Sequence, residues 1–584
     1  MRPVEPPSAP ADRAVRREIV GEADRCFVVE AGAGTGKTSL LIERALHLIA
    51  SQVPLERLAI ITFTEKAAGE LKIRLRQGIE ARLRADPVRD AVYRAALEAL
   101  DRATISTIHA FAATLLRERP VEARLDPQFR VLDEIEAGVL REETFERHRL
   151  ESLTREDPDL EEILRHGVSE RRVREIAMFA AENRDLSPPP PPPEADPPER
   201  LLRRFRERAG RLASLAGSCR DPDDRALRAI RRLHRLAEDL EEAEPRAASL
   251  RLLSDGKAPT RAGDRSNWEP RSALEEVRRI FRSLEEDREA LLRLTGGRVA
   301  WRLGRWIARF TEKYEQALVR QAGLDFQGLL LKARDLVARD RSVRDDFQRR
   351  YRYLLVDEFQ DTDPLQAEML FLLAEPRPRA AQWRRAVPAG GRLFIVGDPK
   401  QSIYRFRRAD IAVYQEARRL LERSGEGGLR RITANFRSVP SLVDWINRLF
   451  APLIGAAADS DLQPAYAPIE ASRAPLDDRP AVALLPVPEE AVPRTADAEG
   501  ARQVEAALVA SLLKRIVAEQ RWTVQGRDGG RRGAGWEDIA LLFRGMTGLG
   551  HFEEALRARE IPYRVAGGRT FYTRQETRHL LALL

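Results

Sequence analysis

A chain of 584 residues and 66.1 kDa is too long for one hydrophobic core, so several domains are expected. At 43% hydrophobic and 33% charged it is globular in composition, and no uninterrupted apolar stretch reaches the roughly 20 residues that cross a bilayer, so no membrane partner is expected. One hundred Lys+Arg against 92 Asp+Glu give a net charge of +8 and a pI near 9.6, which permits nucleic-acid binding without requiring it. The two cysteines, Cys26 and Cys219, exclude a disulfide framework, and Met1 to Asp12 is proline-rich without an apolar signal core. A reducing cytoplasm is the expected compartment.

In chain order, Cys26 to Glu30 reads as a short buried strand, followed by a Gly-rich loop and a helix from Lys37 to Ala50. The loop Ala31-Gly32-Ala33-Gly34-Thr35-Gly36-Lys37-Thr38 matches the Walker A pattern except that Ala31 replaces the first glycine. Its chemistry is intact. Backbone N–H groups and the helix N-terminus cradle phosphates, Lys37 neutralises β/γ charge, and the Thr38 hydroxyl can hold Mg²⁺. Further apolar runs at Leu58–Thr62, Tyr353–Val356, Leu393–Val396 and Ile539–Phe543 mostly end in polar residues, as in a parallel α/β sheet that binds ligands at its carboxyl edge. The Tyr353 run delivers Asp357 and Glu358 side by side, one carboxylate to hold a metal ion and the other to orient and deprotonate a water.

Between about Pro120 and Gly323 the sequence is Arg/Glu/Leu-rich and helical, interrupted by Pro188 to Pro193, Pro197 and Pro198, which cannot continue a helix and read as a stiff exposed linker. Leu303, Trp306, Ile307, Phe310, Tyr314 and Ala317 share one helical face, with Arg302, Arg305 and Arg309 around them; a core stripe with a solvated rim is the preferred reading over a nucleic-acid face. Gly526 to Gly535 reads as a loop, and no internal repeat is present.

The run Asp357-Glu358-Phe359-Gln360-Asp361-Thr362 after an apolar strand resembles motif II of UvrD/Rep-type superfamily 1 DNA helicases. Thr62-Phe63-Thr64-Glu65-Lys66 and Thr104 to Phe111, with Thr107 and His109, are similar to motifs Ia and Ib, and Leu324-Asp325-Phe326 to the segment that re-enters the motor after an insertion. Gly397 to Arg407 resembles motif III and Asn435-Phe436-Arg437-Ser438 motif IV. Asp538 to Arg544, and Ile561 through Gly567, Gly568 and Glu576, resemble later stretches of a second motor domain. VEAGAGTGKT, GDPKQSIYRFR and the long helical insertion favour the RecB/AddA branch.

The resemblance implies an α/β P-loop NTPase with tandem RecA-like motor domains, using ATP and Mg²⁺ to translocate 3′-to-5′ along single-stranded DNA in double-strand-break repair. Its divisions would be 1–120 and 321–425 for the first motor domain, 121–320 for the insertion and 426–584 for an incomplete second domain. Catalytic roles fall on Lys37, Glu358, Gln401 and Arg437; ATP contacts on residues 31 to 38 and Phe436; metal on Thr38 and Asp357. DNA contacts fall on Thr62, Phe63, Thr64, Lys66, Thr107, His109, Phe326, Tyr404, Phe406 and Arg407. The implied partners are single-stranded or duplex-end DNA and a second helicase-nuclease subunit of RecC/AddB type, in a nucleoid-associated setting. Two departures stand out: Arg13 occupies the expected position of an adenine-reading glutamine, and the chain reaches Leu584 before motifs V and VI. On the second ground a nucleotide- and DNA-binding remnant that does not unwind DNA alone is the competing expectation. An unrelated P-loop kinase or GTPase explains neither DEFQDT nor the ordered DNA-path motifs.

Overall fold

The computed structural model describes residues 10–191, 198–376, 382–423, 425, 427–455, 463–475, 481–488, 498–519, 522–526, 530–566 and 575–583. Gly567 and Gly568, like Pro192, Pro193 and Pro197, lie outside these residues, and of Glu576 only the backbone is described. The chain divides into two compact units, 1–476 and 477–584.

The first unit is built on a six-stranded sheet of β1 (Cys26–Ala31), β2 (Leu58–Thr62), β3 (Thr104–Thr107), β4 (Tyr353–Val356), β5 (Leu393–Gly397) and β6 (Gly427–Ile432). The strand order is β3-β2-β4-β5-β1-β6, and every pairing is parallel. Parallel strands buried on both faces read as continuous apolar runs, which is why these segments are legible in the sequence. The two-residue alternation then sends Cys26, Val28, Ile61, Leu354 and Ile395 to one core and Phe27, Val29, Ile60, Leu355 and Phe394 to the other. Helices α1 (Arg13–Gly21), α2 (Lys37–Ala50) and α3 (Glu65–Ala85) adjoin the second core; α4 (Ile108–Glu118) covers the first. Arg44 of α2 is fully buried, and its guanidinium donates to the carbonyls of Ile19, Glu22, Ala23 and Arg25, satisfying the end of α1. The edge strand β6 falls within the segment expected to open a second motor domain, and it pairs with β1.

The insertion is helical. Its organising element is the 50-residue helix α5 (Arg271–Arg320), about 75 Å long at 1.5 Å per residue. The first half packs Leu274, Phe281 and Leu291 into one cluster, and the second buries Trp306, Phe310 and Tyr314 in another. The core reading of the Leu303–Ala317 face holds, and the arginines around it are neutralised: Arg302 and Arg305 meet Asp159, and Arg309 meets both Asp157 and Asp159. The described part of the proline run, 188–191, is exposed, and Pro189 lies against α5 where Gly304 leaves room; a Cβ there would sit 2.7 Å from its Cδ.

The second unit, taken by itself, contains helix 498–514, a hairpin pairing Thr523–Gln525 with Arg531–Gly533, helix 549–557 and helix 575–583. Ile539–Phe543, expected as a strand, is extended but unpaired. Among the described residues of this unit it has no neighbouring strand to satisfy its backbone, although Ile539 and Leu541 still turn inward against Leu513 and Leu556. No described helix is long and apolar enough to cross a membrane.

Candidate functional site

Every strand of the sheet ends in a polar turn, and these turns form one edge. β1 leads into residues 32–38, whose first turn is closed by Thr35: its amide and hydroxyl both donate to the Gly32 carbonyl, at 3.3 and 2.8 Å. Gly34 and Gly36 have positive φ, +76° and +81°, which an L side chain adopts only with strain, and Gly36 caps α2. The loop therefore presents its backbone and the N-terminus of a 14-residue helix to one space, a geometry suited to an anion.

Lys37 and Glu358 meet there, Nζ to Oε2 at 2.8 Å. Glu358 follows β4 with φ +52°, a left-handed conformation uncommon outside glycine and asparagine, and this turns its carboxylate toward the loop. Asp357 is buried; burial first, and the neighbouring Glu358 second, push its carboxyl up to about 6. The same causes raise Asp361 to about 6, and its Oδ1 is buried without a hydrogen-bond partner. This cluster holds more negative charge than Lys37 alone offsets.

Residues that carry no motif signal in the sequence tie these turns together. Gln360 donates to Glu358 at 2.8 Å, accepts from the Asp398 amide at 2.9 Å, and accepts the Ser402 hydroxyl at its carbonyl, so the β4 and β5 turns move as one. Gln401 donates to Asp398 at 2.8 Å. Beyond β6, Phe436 N donates to the Gly34 carbonyl at 2.8 Å and Asn435 Nδ2 to the Ala33 carbonyl at 2.7 Å, while Asn435 Oδ1 receives the Arg437 amide. Arg437 is exposed, with its Cβ 2.7 Å from where a Cβ on Gly34 would stand. Arg13 is exposed; the side chain that reaches the loop is Arg16, one turn along α1, donating to the Thr35 carbonyl at 2.9 Å.

Beside this edge runs a row of rings. Phe63 and Tyr404 have centroids 4.8 Å apart, Tyr404 and Phe406 5.6 Å, and the Arg407 guanidinium lies within 6 Å of the last two. Phe406 is 77% exposed, and Ile403 beside it 71%, a feature sequence reasoning passed over. His109 meets Phe326 edge-on at 5.5 Å, and burial lowers its pKa. Thr64 and Thr107 cap α3 and α4 by accepting the Ala67 and Ala110 amides, and Thr107 also donates to Glu65. Lys66 is exposed, whereas Thr62 is buried with its hydroxyl unpartnered. Thr62, Phe63, Asp357 and Glu358 line one small hollow, so the acidic cluster and the ring row adjoin. The largest cavity, about 820 Å³ near Phe129 and Leu331, is elsewhere and lacks such a cluster.

The sequence pattern of the UvrD/REP helicase N-terminal domain matches residues 14–422, and that of the UvrD-like helicase C-terminal domain matches 431–584. The chain belongs to the UvrD/REP helicase family. Its P-loop α/β fold is the family's, and similar family members include large subunits of ATP-dependent helicase/nucleases, of the AddA type, from three bacteria. That of Geobacillus thermodenitrificans is 26% identical, with 97% of this chain and 50% of the relative covered. The Desulforudis audaxviator protein is 29% identical over 97% and 50%, and the Bacillus licheniformis protein 26% over 93% and 48%. The chain thus spans about half the length of the curated relatives it matches, and these relatives favour the AddA branch of the family.

Proposed function

We propose that this chain is the ATP-hydrolysing motor of an AddA-type DNA helicase, translocating 3′-to-5′ on single-stranded DNA in double-strand-break repair beside a second helicase-nuclease subunit. The carrying observation is the Lys37–Glu358 pair at the carboxyl edge of a parallel sheet, joined through Gln360 to the loop that bears Tyr404 and Phe406. Lys37 and the amides of residues 32–38 bind the β- and γ-phosphates, while Glu358 orients and deprotonates the attacking water. Gln401 senses the γ-phosphate once released from Asp398, Arg437 meets charge developing in the transition state, and Phe436 stacks on the base.

Thr38 and Asp357 supply the oxygen donors Mg²⁺ takes, and the raised pKa of Asp357 fits a carboxylate awaiting a cation. Bound there, the ion would bridge β- and γ-oxygens and neutralise their charge. Phe63, Tyr404, Phe406 and Phe326 stack on successive bases, with Thr64, Lys66, His109 and Arg407 toward the phosphates. Thr62 and Thr107 support this path from beneath. We assign 1–120 and 321–425 to the first motor domain, 121–320 to the insertion and 426–584 to the second motor domain.

Nucleotide binding by fluorescence titration tests the site. Lys37→Ala should abolish binding, and Glu358→Gln should bind like wild type while turning over at a background rate. Equal affinity in wild type and Lys37→Ala would overturn the assignment.

A further inference from the structure

The Arg16 guanidinium is held on two sides and open on the third. Nε and Nη2 pair with the Asp12 carboxylate at 2.7 and 2.9 Å, and Nη2 also donates to the Thr35 carbonyl. Asp12 is itself fixed, accepting the amides of Thr433 and Ala434 at 2.9 and 3.1 Å. Nη1 has no hydrogen bond among the described residues. It lies 3.8 Å from where a Cβ on Gly36 would stand, and Phe436 ring atoms come within 3.9 to 4.0 Å of the same point. The guanidinium carbon sits 5.2 Å from the Phe436 centroid, and that ring, 45% exposed, is pinned by its amide to Gly34. A half-exposed aromatic face and an unspent N–H donor therefore flank the phosphate loop together.

From this we infer that Arg16 is a base-selecting residue, and that the site takes purine nucleoside triphosphates without favouring adenine, guanine binding at least as well. The inference rests on the reading of residues 32–38 as a triphosphate site. A base stacked on Phe436 turns an edge toward Nη1. Guanidinium only donates, so it rewards the O6 and N7 acceptors of guanine, whereas adenine offers N7 beside an N6 amino group that is itself a donor. A side-chain amide, with one acceptor and two donors, matches the adenine edge instead. The Asp12 and Thr35 bonds keep Arg16 from swinging away and leave it no acceptor of its own to present.

The test is competition of ATP, GTP and CTP against a fluorescent purine nucleotide on the full 584-residue chain. Wild type should bind GTP as tightly as ATP or up to about tenfold tighter, and both better than CTP; Arg16→Gln should move the GTP-to-ATP ratio toward ATP by about fivefold or more. A wild-type preference for ATP above tenfold overturns the inference, as does an Arg16→Gln variant that loses both purines in equal proportion, the signature of a merely structural clip. The wild-type ratio decides the matter if the variant does not fold. Should no nucleotide bind, or Lys37→Ala bind like wild type, the triphosphate reading itself fails; loss of binding in Lys37→Ala with ATP preferred would sink base selection alone.

Discussion

The acidic cluster makes Asp357→Asn a stabilising substitution that destroys activity. Asp357 is buried, and its carboxyl is raised from the usual 3.8 to about 6 by that burial and by Glu358. A folded-state pKa above the unfolded value means the folded chain holds this proton more tightly. The associated stability is complete below about pH 3.8 and is lost as the pH rises through about 6. At pH 7.5 the ionised side chain therefore costs about 3 kcal/mol relative to its protonated form. Asparagine keeps the acceptor that receives the Glu358 amide at 3.0 Å and carries no charge. Part of the gain is offset because Lys37 loses an attractive neighbour, so a net stabilisation of about 1–3 kcal/mol is expected, a rise on the order of 2–6 °C in the melting transition of the first unit. Differential scanning fluorimetry without nucleotide, from pH 5 to 8, measures it. The gap between variant and wild type should be widest at pH 8 and narrow toward pH 5. A variant that melts at or below wild type at pH 7.5, or a gap independent of pH, would refute the reasoning.

Three further substitutions probe the rest of the site. Phe63→Ala and Phe406→Ala should each weaken single-stranded DNA binding by about 1–3 kcal/mol in fluorescence anisotropy while leaving the melting curve nearly unchanged. Phe111, fully buried in the first core, separates stacking from packing: Phe111→Ala should cost about 3–5 kcal/mol of stability. Gly34→Ala should cost about 1–2 kcal/mol from its positive φ, and its new Cβ, 2.7 Å from Arg437 Cβ and 2.9 Å from Asn435 Nδ2, should push residues 435–437 off the loop and weaken nucleotide binding. Wild-type nucleotide affinity in Gly34→Ala would contradict that coupling.

Much of the fold is legible because burial on two faces leaves apolar runs that end where chemistry begins; Leu58–Thr62 and Tyr353–Val356 can be read to the residue. The Leu303–Ala317 face is legible for the same reason, its spacing being that of a buried helix stripe. Local pattern fails where tertiary pairing decides. Ile539–Phe543 has the composition of a strand but no described neighbour to pair with. Motif spacing points to Arg13, yet one further helical turn is what brings a side chain over the loop, so Arg16 does the reaching. Gln360, Asn435 and Asp12 escape notice because a polar residue that bridges two turns leaves no periodic trace; its partners lie 38, 402 and 421 residues away.

The central claim is that a nucleotide site and a DNA path are joined through the loop that follows β5. The direct measurement is the rate of ATP hydrolysis by the 584-residue chain with and without single-stranded DNA, in wild type and Phe406→Ala. The account predicts hydrolysis stimulated by DNA in wild type, abolished by Lys37→Ala, and in Phe406→Ala an unchanged basal rate that needs about tenfold more DNA for half-maximal stimulation. Hydrolysis indifferent to DNA, or stimulation in Phe406→Ala identical to wild type, would contradict it.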